Sequence, residues 1–347
     1  MHLPTVGRAW HLVSRPSGRP RAEDFALREV PVAEPAEGEI LVRNLHLSVD
    51  PYMRGRMNDV KSYVAPYALD EPMDGGAVGE VVASRDPDLT VGTLVVHHLG
   101  WREYATLPAR RATVIPGDAG GDPSGKGDIS PSAHLGVLGM PGLTAWAGLL
   151  EVGGFRPGDA VFVSGAAGAV GGLVGRIARL KGASRVVGSA GTPEKIRLLT
   201  GEYGFDAAFD YHDGPVRDRL REAAPEGIDL YFDNVGGEHL EAAIGALRVH
   251  GRAVICGMIS QYNAAEPPAG PRNLAQVIGK RLRLEGMLVN DHAASRPRFL
   301  EEMTGWLRSG EIDNRETVVH GIDHAARAFL DLLDGGNTGK MIVTLDG

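Results

Sequence analysis

A chain of 347 residues has room for one large or two ordinary domains, and 43% hydrophobic residues can furnish a sizeable core. A net charge of −8 gives no electrostatic footprint for nucleic acid. A single cysteine, Cys256, excludes an internal disulfide and a cysteine-rich structural zinc site. No run of 18 apolar residues suggests a membrane span, and the opening MHLPTVGRAWHLVSRPSG lacks the apolar centre of a signal peptide. The expectation is a cytoplasmic protein with no membrane partner.

Residues 8–15 and 26–30 read as short strands, and Glu39 to Leu47 (EILVRNLHL) alternates as a half-buried strand does. Strand character continues through Gly75 to Ala83, Gly92 to His98 and Trp101 to Leu107. Strands this short, broken by Pro and Gly, suggest a compact, partly open β-barrel. Asp118 to Asp128 (DAGGDPSGKGD) reads as a flexible surface loop. Near Leu135 the pattern changes. LGVLGMPGLTAWAGLLEVGGFRPGD reads as a helix held by the turn at Pro141-Gly142, followed by a turn at Arg156 to Asp159. Strands at 160–164, 185–189, 207–210, 228–233 and 252–256 then alternate with helices near 169–181, 193–202, 215–223 and 237–248. That alternation predicts an α/β fold with a doubly wound parallel sheet. Strand-like pieces at 282–289, a helix near 295–309 and a last strand, KMIVTL, complete the chain. The expected domains are a β-rich substrate domain over 1–134, a nucleotide domain over 135–312 and a return to the first domain over 313–347.

The stretch around which the chain is organised is Ala160 to Lys181. Val161, Phe162 and Val163 lead into Gly165, Gly168 and Gly171, and Val170, Val174, Ile177 and Ala178 recur at helical spacing. Strand, glycine turn and helix are the context of a dinucleotide fingerprint. Residues without bulk let the backbone approach a pyrophosphate, and the N–H groups at the helix start attract it. The bland alternative is an ordinary strand-to-helix turn. The ribose-reading position, about 20 residues on, falls at the end of RVVGSAG. It is Gly191, so the carboxylate that would hold a 2′-hydroxyl is missing. Thr192 suits the cap of the next helix and Pro193 its first position. Lys195 then sits in a first turn, where a cation opposes the helix dipole. A 2′-phosphate beside it would offset that cost, which favours NADP over NAD; a solvated lysine is the alternative. Tyr211, at the end of the third strand, lies on the adenosine side or is a strand-end aromatic.

GAAGAVGGLVG, GTPEK, FDAAFDY, LYFDNVGG, CGMISQYN and NTGK, with VDPYMRGRM and GVLGMPGLTAW upstream, occur in this order. Together they resemble the zinc-free medium-chain reductases of activated alkenes: prostaglandin reductases, plant alkenal double-bond reductases and bacterial curcumin reductases. The resemblance runs nearly end to end, and LSVDPYMRGRM with YNAAEPPAGP is similar to the curcumin reductase type. It implies a GroES-like barrel plus a Rossmann domain, an NADPH-dependent reduction of an enone or enal, and a homodimer. By position it implies that Gly168, Ala169, Val170 and Gly171 hold the pyrophosphate, and that Lys195 and Tyr211 hold the 2′-phosphate region. Asn234 would reach the nicotinamide ribose or its neighbouring phosphate. Cys256, Gly257, Met258, Ile259, Ser260 and Tyr262 would line the nicotinamide. Met287, Leu288 and Val289 would pass along the ring, and Asn337 would close over the cofactor. Ser164-Gly165 departs from the Asn-Ala or Ala-Ala of relatives, and His212 stands where relatives often have Lys.

Reducing an enone needs hydrogen-bond donation to the oxygen on which negative charge grows. A tyrosine, neutral at pH 7, can supply it. Tyr262 is the first candidate: it follows the fifth strand at the carboxyl edge of the sheet, where open α/β sheets bind ligands. Tyr52 is the second, in Asp50-Pro51-Tyr52, where the proline sets a turn and where the family's substrate cleft is expected. Each has a packing role as its alternative. Arg54 and Arg56 could attract an acidic substrate tail or be surface residues. His97 and His98 invite a zinc reading, but the lone cysteine lies in the other domain and Gly75 to Glu80 lacks a histidine, so no metal is expected. Cys256 reads as a packed thiol. Ser164 precedes the glycines rather than sitting in a G-x-S-x-G elbow, which argues against a hydrolase. The remaining alternatives are an NADPH-dependent quinone reductase and an NADPH-binding protein with little turnover.

Overall fold

The computed structural model describes residues 3–116, 129–266 and 268–345. The loop expected over 118–128 lies outside them. The chain divides into two compact units: residues up to Gly136 together with those from Glu316 onward, and Val137–Arg315.

The first unit contains β1 (Val6–Leu12), β2 (Phe25–Pro31), β3 (Glu39–Ser48), the short helix α1 (Tyr52–Arg56), β4 (Ala77–Ser84), β5 (Leu94–His97), β6 (Tyr104–Pro108) and β7 (Thr113–Val114). The second contains α2 (Met140–Ala147), β8 (Ala160–Val163), α3 (Gly171–Leu180), β9 (Arg185–Ala190), α4 (Pro193–Gly201), β10 (Ala207–Asp210), α5 (Val216–Ala223), β11 (Ile228–Asp233), α6 (Gly237–Ala246), β12 (Leu247–Ile255), α7 (Ala275–Lys280), β13 (Arg283–Gly286) and α8 (Arg296–Ser309). The chain then returns to the first unit with β14 (Glu316–His320), α9 (Ala325–Leu333) and β15 (Lys340–Thr344).

In the first unit β3 is the hub. Its opening half pairs with β6, its closing half with β15, and β4 runs antiparallel along most of its length. The register against β4 shifts at Leu41/Val42 and again at Asn44/His46. Such irregularities bend and twist a strand, which is how a sheet curls into a barrel. Ile40, Val42, Val81, Val95, Ala105 and Leu107 fill one core. Leu12, Phe25, Leu47, Met53, Trp101 and Phe329 build another, which fastens α1 and α9 to the sheet. Phe329 meets Phe25 and Trp101 edge to face, with ring centres 6.1 Å apart in both pairs.

In the second unit six parallel strands follow the order β10-β9-β8-β11-β12-β13. Counted from β8, this is 3-2-1-4-5-6, the doubly wound dinucleotide order. The order reverses between β8 and β11, so their carboxyl ends flank the switch point. β8 is buried at all four positions, as a central parallel strand must be. The helix expected after Leu135 is α2, and its last turns widen to π geometry over Gly148–Val152. Glycine at 148 lets this turn pack close to its neighbours: a Cβ there would stand 2.6 Å from the Met287 sulfur and 2.7 Å from the Phe232 ring. Pro141 belongs to the first turn of α2, where a missing N–H costs nothing.

Candidate active site

β8 delivers Ser164 to the glycine turn, and α3 begins at Gly171. Gly165 has φ +58°, the left-handed region that a side chain disfavours. A Cβ on Gly171 would lie 2.4 Å from the Gly165 carbonyl oxygen, so only glycine lets the helix start this close to the turn. No side chain caps α3 and its first turn holds no acid. The turn thus offers backbone N–H groups and the positive end of a ten-residue helix to an anion. This bare cradle fits a pyrophosphate.

A buried polar lock ties the ends of β8 and β11 together. The Tyr231 hydroxyl donates to Asp233 Oδ1 at 2.6 Å and stands 2.9 Å from Ser164 Oγ. Ser164 Oγ accepts the Asn234 N–H at 3.0 Å, and the Asn234 side-chain amide donates to the Ser164 carbonyl at 2.8 Å. Asp233 Oδ1 also accepts the N–H groups of Val235 (2.9 Å) and Gly236 (2.7 Å), just before α6. Burial raises the Asp233 carboxyl, while these donors pull it the other way. Ser164 therefore serves as a strand-to-strand linker. The lock was not anticipated from the sequence; the available signal was Tyr231 and Asp233 two apart on β11, hence on one face of an otherwise apolar strand.

At the adenosine end, Thr192 Oγ1 accepts the Lys195 N–H at 3.3 Å and caps α4. Burial lowers the Lys195 ammonium from its usual value. A Cβ on Gly191 would lie 2.6 Å from the Tyr211 hydroxyl, so Tyr211 covers the place where an NAD-binding carboxylate would stand. The Tyr211 ring packs against His212 (4.2 Å) and edge-on to His239 (5.5 Å). Burial holds the His239 imidazole down to about 4.

The segment after β12 is stitched to the residues after β11. The Cys256 and Gly257 N–H groups both donate to the Asp233 carbonyl at 2.9 Å, Ile259 N–H to the Asn234 carbonyl at 3.3 Å, and Ser260 N–H to the Val235 carbonyl at 3.2 Å. Tyr262 folds back over this turn, and its hydroxyl accepts the Met258 N–H at 3.4 Å. The Cys256 thiol is pushed up to about 12 by burial and by Asp233, so it is no nucleophile near neutrality. Met287 N–H donates to the Ile255 carbonyl at 3.2 Å; Leu288 is exposed, and a 3₁₀ turn begins at Val289. Gly168 to Gly171, Lys195, Tyr211, Asn234, residues 256–262 and residues 287–289 thus all follow carboxyl ends of the parallel strands, the ligand-binding edge of such a sheet.

In the first unit Tyr52 opens α1 and packs beside the Met53 and Met57 cluster. Burial, then the Asp50 carboxylate, pushes its phenol above the usual value, so it stays a neutral donor. Arg54 and Arg56 are buried, not presented to a substrate. Arg54 bonds Asn58 Oδ1 and the Gly18 carbonyl, and Arg56 bonds the Ala65 carbonyl and Asp74 while stacking on Tyr67 at 4.0 Å. Lys340, the last residue of NTGK, was missed as a structural residue. Its Nζ is buried and donates to the Val49 carbonyl (2.6 Å) and the Met341 carbonyl (2.9 Å), with Asp50 Oδ1 at 3.2 Å. Asn337 is buried, and its side-chain amide donates to the Gly339 carbonyl at 2.7 Å.

His97 is a satisfied core residue. Its Nδ1 accepts the Leu99 N–H at 3.1 Å, which places the hydrogen on Nε2, 2.8 Å from Asn44 Oδ1. Burial, with His98 and Arg102 adding, holds it down to about 3. Among the described residues no three His, Cys, Asp or Glu side chains gather where they could hold a metal ion. The donor set does not fit a zinc site.

Two family profiles match the chain: one described as the N-terminal domain of oxidoreductase over residues 8–115, the other as zinc-binding dehydrogenase over residues 169–305. The zinc in the second description has no counterpart among the side chains above. The chain is 42% identical to the NADPH-dependent curcumin reductase of Escherichia coli (strain K12), with 98% of this chain and 97% of that protein covered. It is 40% identical to the 2-alkenal reductase (NADP(+)-dependent) of Nicotiana tabacum, with 94% of each covered. The crystal structure of CurA in complex with NADPH from Vibrio vulnificus superposes with a TM-score of 0.91 at 42% identity, over 98% of this chain and 99% of that one. The chain therefore belongs to the zinc-independent medium-chain dehydrogenase/reductase superfamily, among the curcumin reductase-like oxidoreductases.

Proposed function

We propose that this protein reduces the carbon–carbon double bond of α,β-unsaturated ketones and aldehydes with NADPH. The observation that carries the reading is likeness over nearly the whole chain, at about two-fifths identity, to reductases named for NADPH or NADP and for curcumin or 2-alkenal. The bare glycine cradle and the tyrosine over Gly191 accord with that cofactor.

When bound, NADPH supplies the hydride that is added to the β-carbon of the alkene. The chain's own residues do the rest. The N–H groups at the start of α3, around Gly168 to Gly171, bind the pyrophosphate, and Lys195 and Tyr211 take the 2′-phosphate side. Asn234, the 256–262 segment and the 287–289 backbone orient the nicotinamide end, with Asn234 held in place by Ser164. Asn337 is assigned to the cofactor on the resemblance alone. A neutral tyrosine hydroxyl, from Tyr262 or Tyr52, donates to the carbonyl oxygen as charge grows there, and a proton then completes the α-carbon. We also propose a homodimer. β13 is an edge strand, and Leu274, Ile278 and Leu288 nearby in the chain are exposed, Ile278 by 81%. A cytoplasmic location accords with dependence on a soluble reduced nucleotide.

The test is product analysis with NADPH and, separately, a simple enone and a simple quinone. Saturated ketone supports the proposal. Hydroquinone with no enone turnover replaces it with quinone reduction, and NADPH binding with no oxidation of either replaces it with a binding role.

A further inference from the structure

The segment that leaves β13 runs from Met287 through the 3₁₀ turn Val289–Ser295 into α8, and the π turn that ends α2 meets it at both ends. At the near end Gly148 has no side chain, and Met287 approaches so closely that a Cβ there would stand 2.6 Å from its sulfur. At the far end Glu151, on the same π turn, directs both carboxylate oxygens at the segment. Its Oε2 lies 2.7 Å from His292 Nδ1, and its Oε1 accepts the Ser295 hydroxyl at 2.6 Å. A carboxylate only accepts, so Nδ1 carries the hydrogen of the first bond.

These two bonds replace regular local structure. The turn departs from helical geometry at His292 (φ −105°, ψ 17°), the residue that Glu151 holds. Ser295 stands at the cap position of α8, where a serine hydroxyl ordinarily accepts an N–H of the helix. It caps nothing and donates to Glu151 instead. The restraint reaches back along the chain, because the Asp291 N–H donates to the Leu288 carbonyl at 3.1 Å. A π turn within a helix is itself rare and occurs frequently at functional sites.

We infer that Glu151 is a positioning residue for hydride transfer. Through His292 and Ser295 it fixes the backbone of residues 287–289, along which the nicotinamide lies, and so sets how the ring meets the alkene. The inference rests on the enone reading and the cofactor placement above. Glu151 acts through the segment and not on the reacting atoms. Its effect belongs to the nicotinamide half of the cofactor, because the glycine cradle and Lys195 stand at the ends of other strands. The bonds, not the charge, do the positioning. In Glu151→Gln the amide oxygen accepts from His292 and the amide N–H donates to Ser295 Oγ.

The experiment is single-turnover hydride transfer to a simple enone under saturating NADPH, followed by stopped flow. Deuterated NADPH confirms, by its isotope effect, that the chemical step is the one observed. Alongside it, calorimetry measures the affinity for 2′,5′-ADP, which has no nicotinamide. Misplacing a reacting group by 1 Å slows a reaction about 100-fold, and loosening the segment without displacing it should slow transfer about tenfold in Glu151→Ala. The affinity for 2′,5′-ADP should stay unchanged. Glu151→Gln should recover most of the rate. Ser295→Ala breaks only one of the two bonds and should show a smaller loss, so the test does not depend on the folding of Glu151→Ala. Undiminished transfer in Glu151→Ala and Ser295→Ala overturns the inference and leaves the enone reading standing. So does a parallel loss of 2′,5′-ADP affinity, which would mean general loosening, or a Glu151→Gln protein as slow as Glu151→Ala. An unaltered protein that binds 2′,5′-ADP and passes no hydride to an enone overturns both.

Discussion

Replacing Lys340 by methionine removes a charge while nearly preserving the length of the side chain. Lys340 is 3% exposed and its partner Asp50 is 5% exposed. The three ammonium protons match three acceptors: the Val49 and Met341 carbonyls and Asp50 Oδ1. Burial lowers the Lys340 ammonium from its usual value, and Asp50 counters that. In Lys340→Met the Asp50 carboxylate keeps its bond from the Ser48 hydroxyl but loses its cation. Removing one partner of a buried pair costs about 3–5 kcal/mol, against a total stability on the order of 5–15 kcal/mol. Urea unfolding at pH 7, followed by circular dichroism, should show a loss of that size. Adding Asp50→Asn should recover a large part of it, because the orphaned charge is gone. α1 begins two residues after Asp50, so hydrogen exchange in α1 should speed up in the single variant and recover in the double. A Lys340→Met protein within about 1 kcal/mol of the unaltered one, on the scale of a surface substitution, would refute the claim that this pair organises the start of α1.

Acid should destabilise the fold through two buried imidazoles. His97 is held down to about 3 and His239 to about 4, below the ordinary 6.5. Their contribution is therefore complete above pH 6.5 and drains as pH falls, because the unfolded chain takes up protons that the folded one refuses. By pH 4.5 the two together remove on the order of 5 kcal/mol. Urea midpoints measured across this range check it, and His97→Gln, which keeps a donor for Asn44, should flatten the slope. For the reaction, removing the hydroxyl that meets the carbonyl oxygen should lower kcat about 100-fold, as for an oxyanion-hole donor, with the NADPH dissociation constant little changed. Tyr262→Phe and Tyr52→Phe, each assayed by stopped-flow turnover and by fluorescence titration of NADPH, identify which hydroxyl acts; full turnover in both eliminates tyrosine from the role.

The βα alternation from Ala160 onward was legible because a buried parallel strand and an amphipathic helix each declare their period locally. β11, for example, occupies the residues expected, 228–233. β12 begins earlier than expected, at Leu247, because the chain passes into the strand directly after α6. α7 was not anticipated: it is six residues long and none of them is buried, although Val277 packs partly buried against the core of the sheet. α9 did carry a signal, since Ala325, Ala326, Phe329 and Leu332 recur at helical spacing on its buried side. β14 is a five-residue edge strand and announces itself weakly. At the candidate site the glycines and the missing acid at Gly191 were visible because each acts through its own backbone or by its absence. The Ser164–Tyr231–Asp233 lock and the Lys340–Asp50 pair were not. They join residues 67 and 290 positions apart, and no local pattern encodes a polar contact made only after two strands have paired. Arg54 and Arg56 looked like surface charges for the same reason: Asp74 and Tyr67, which bury Arg56, follow only after an intervening loop.

An isotope traces whether the hydride is added to an alkene carbon. The protein is given NADPH carrying deuterium at the transferred position and an unlabelled enone in ordinary water, and the product is read by NMR and mass spectrometry. Alkene reduction gives a saturated ketone with one deuterium, located on the carbon β to the carbonyl, and an α-hydrogen that becomes deuterium only when the solvent is D₂O. Deuterium on the carbinol carbon of an allylic alcohol would mean that the carbonyl is reduced instead, and would rule out alkene reduction as the function.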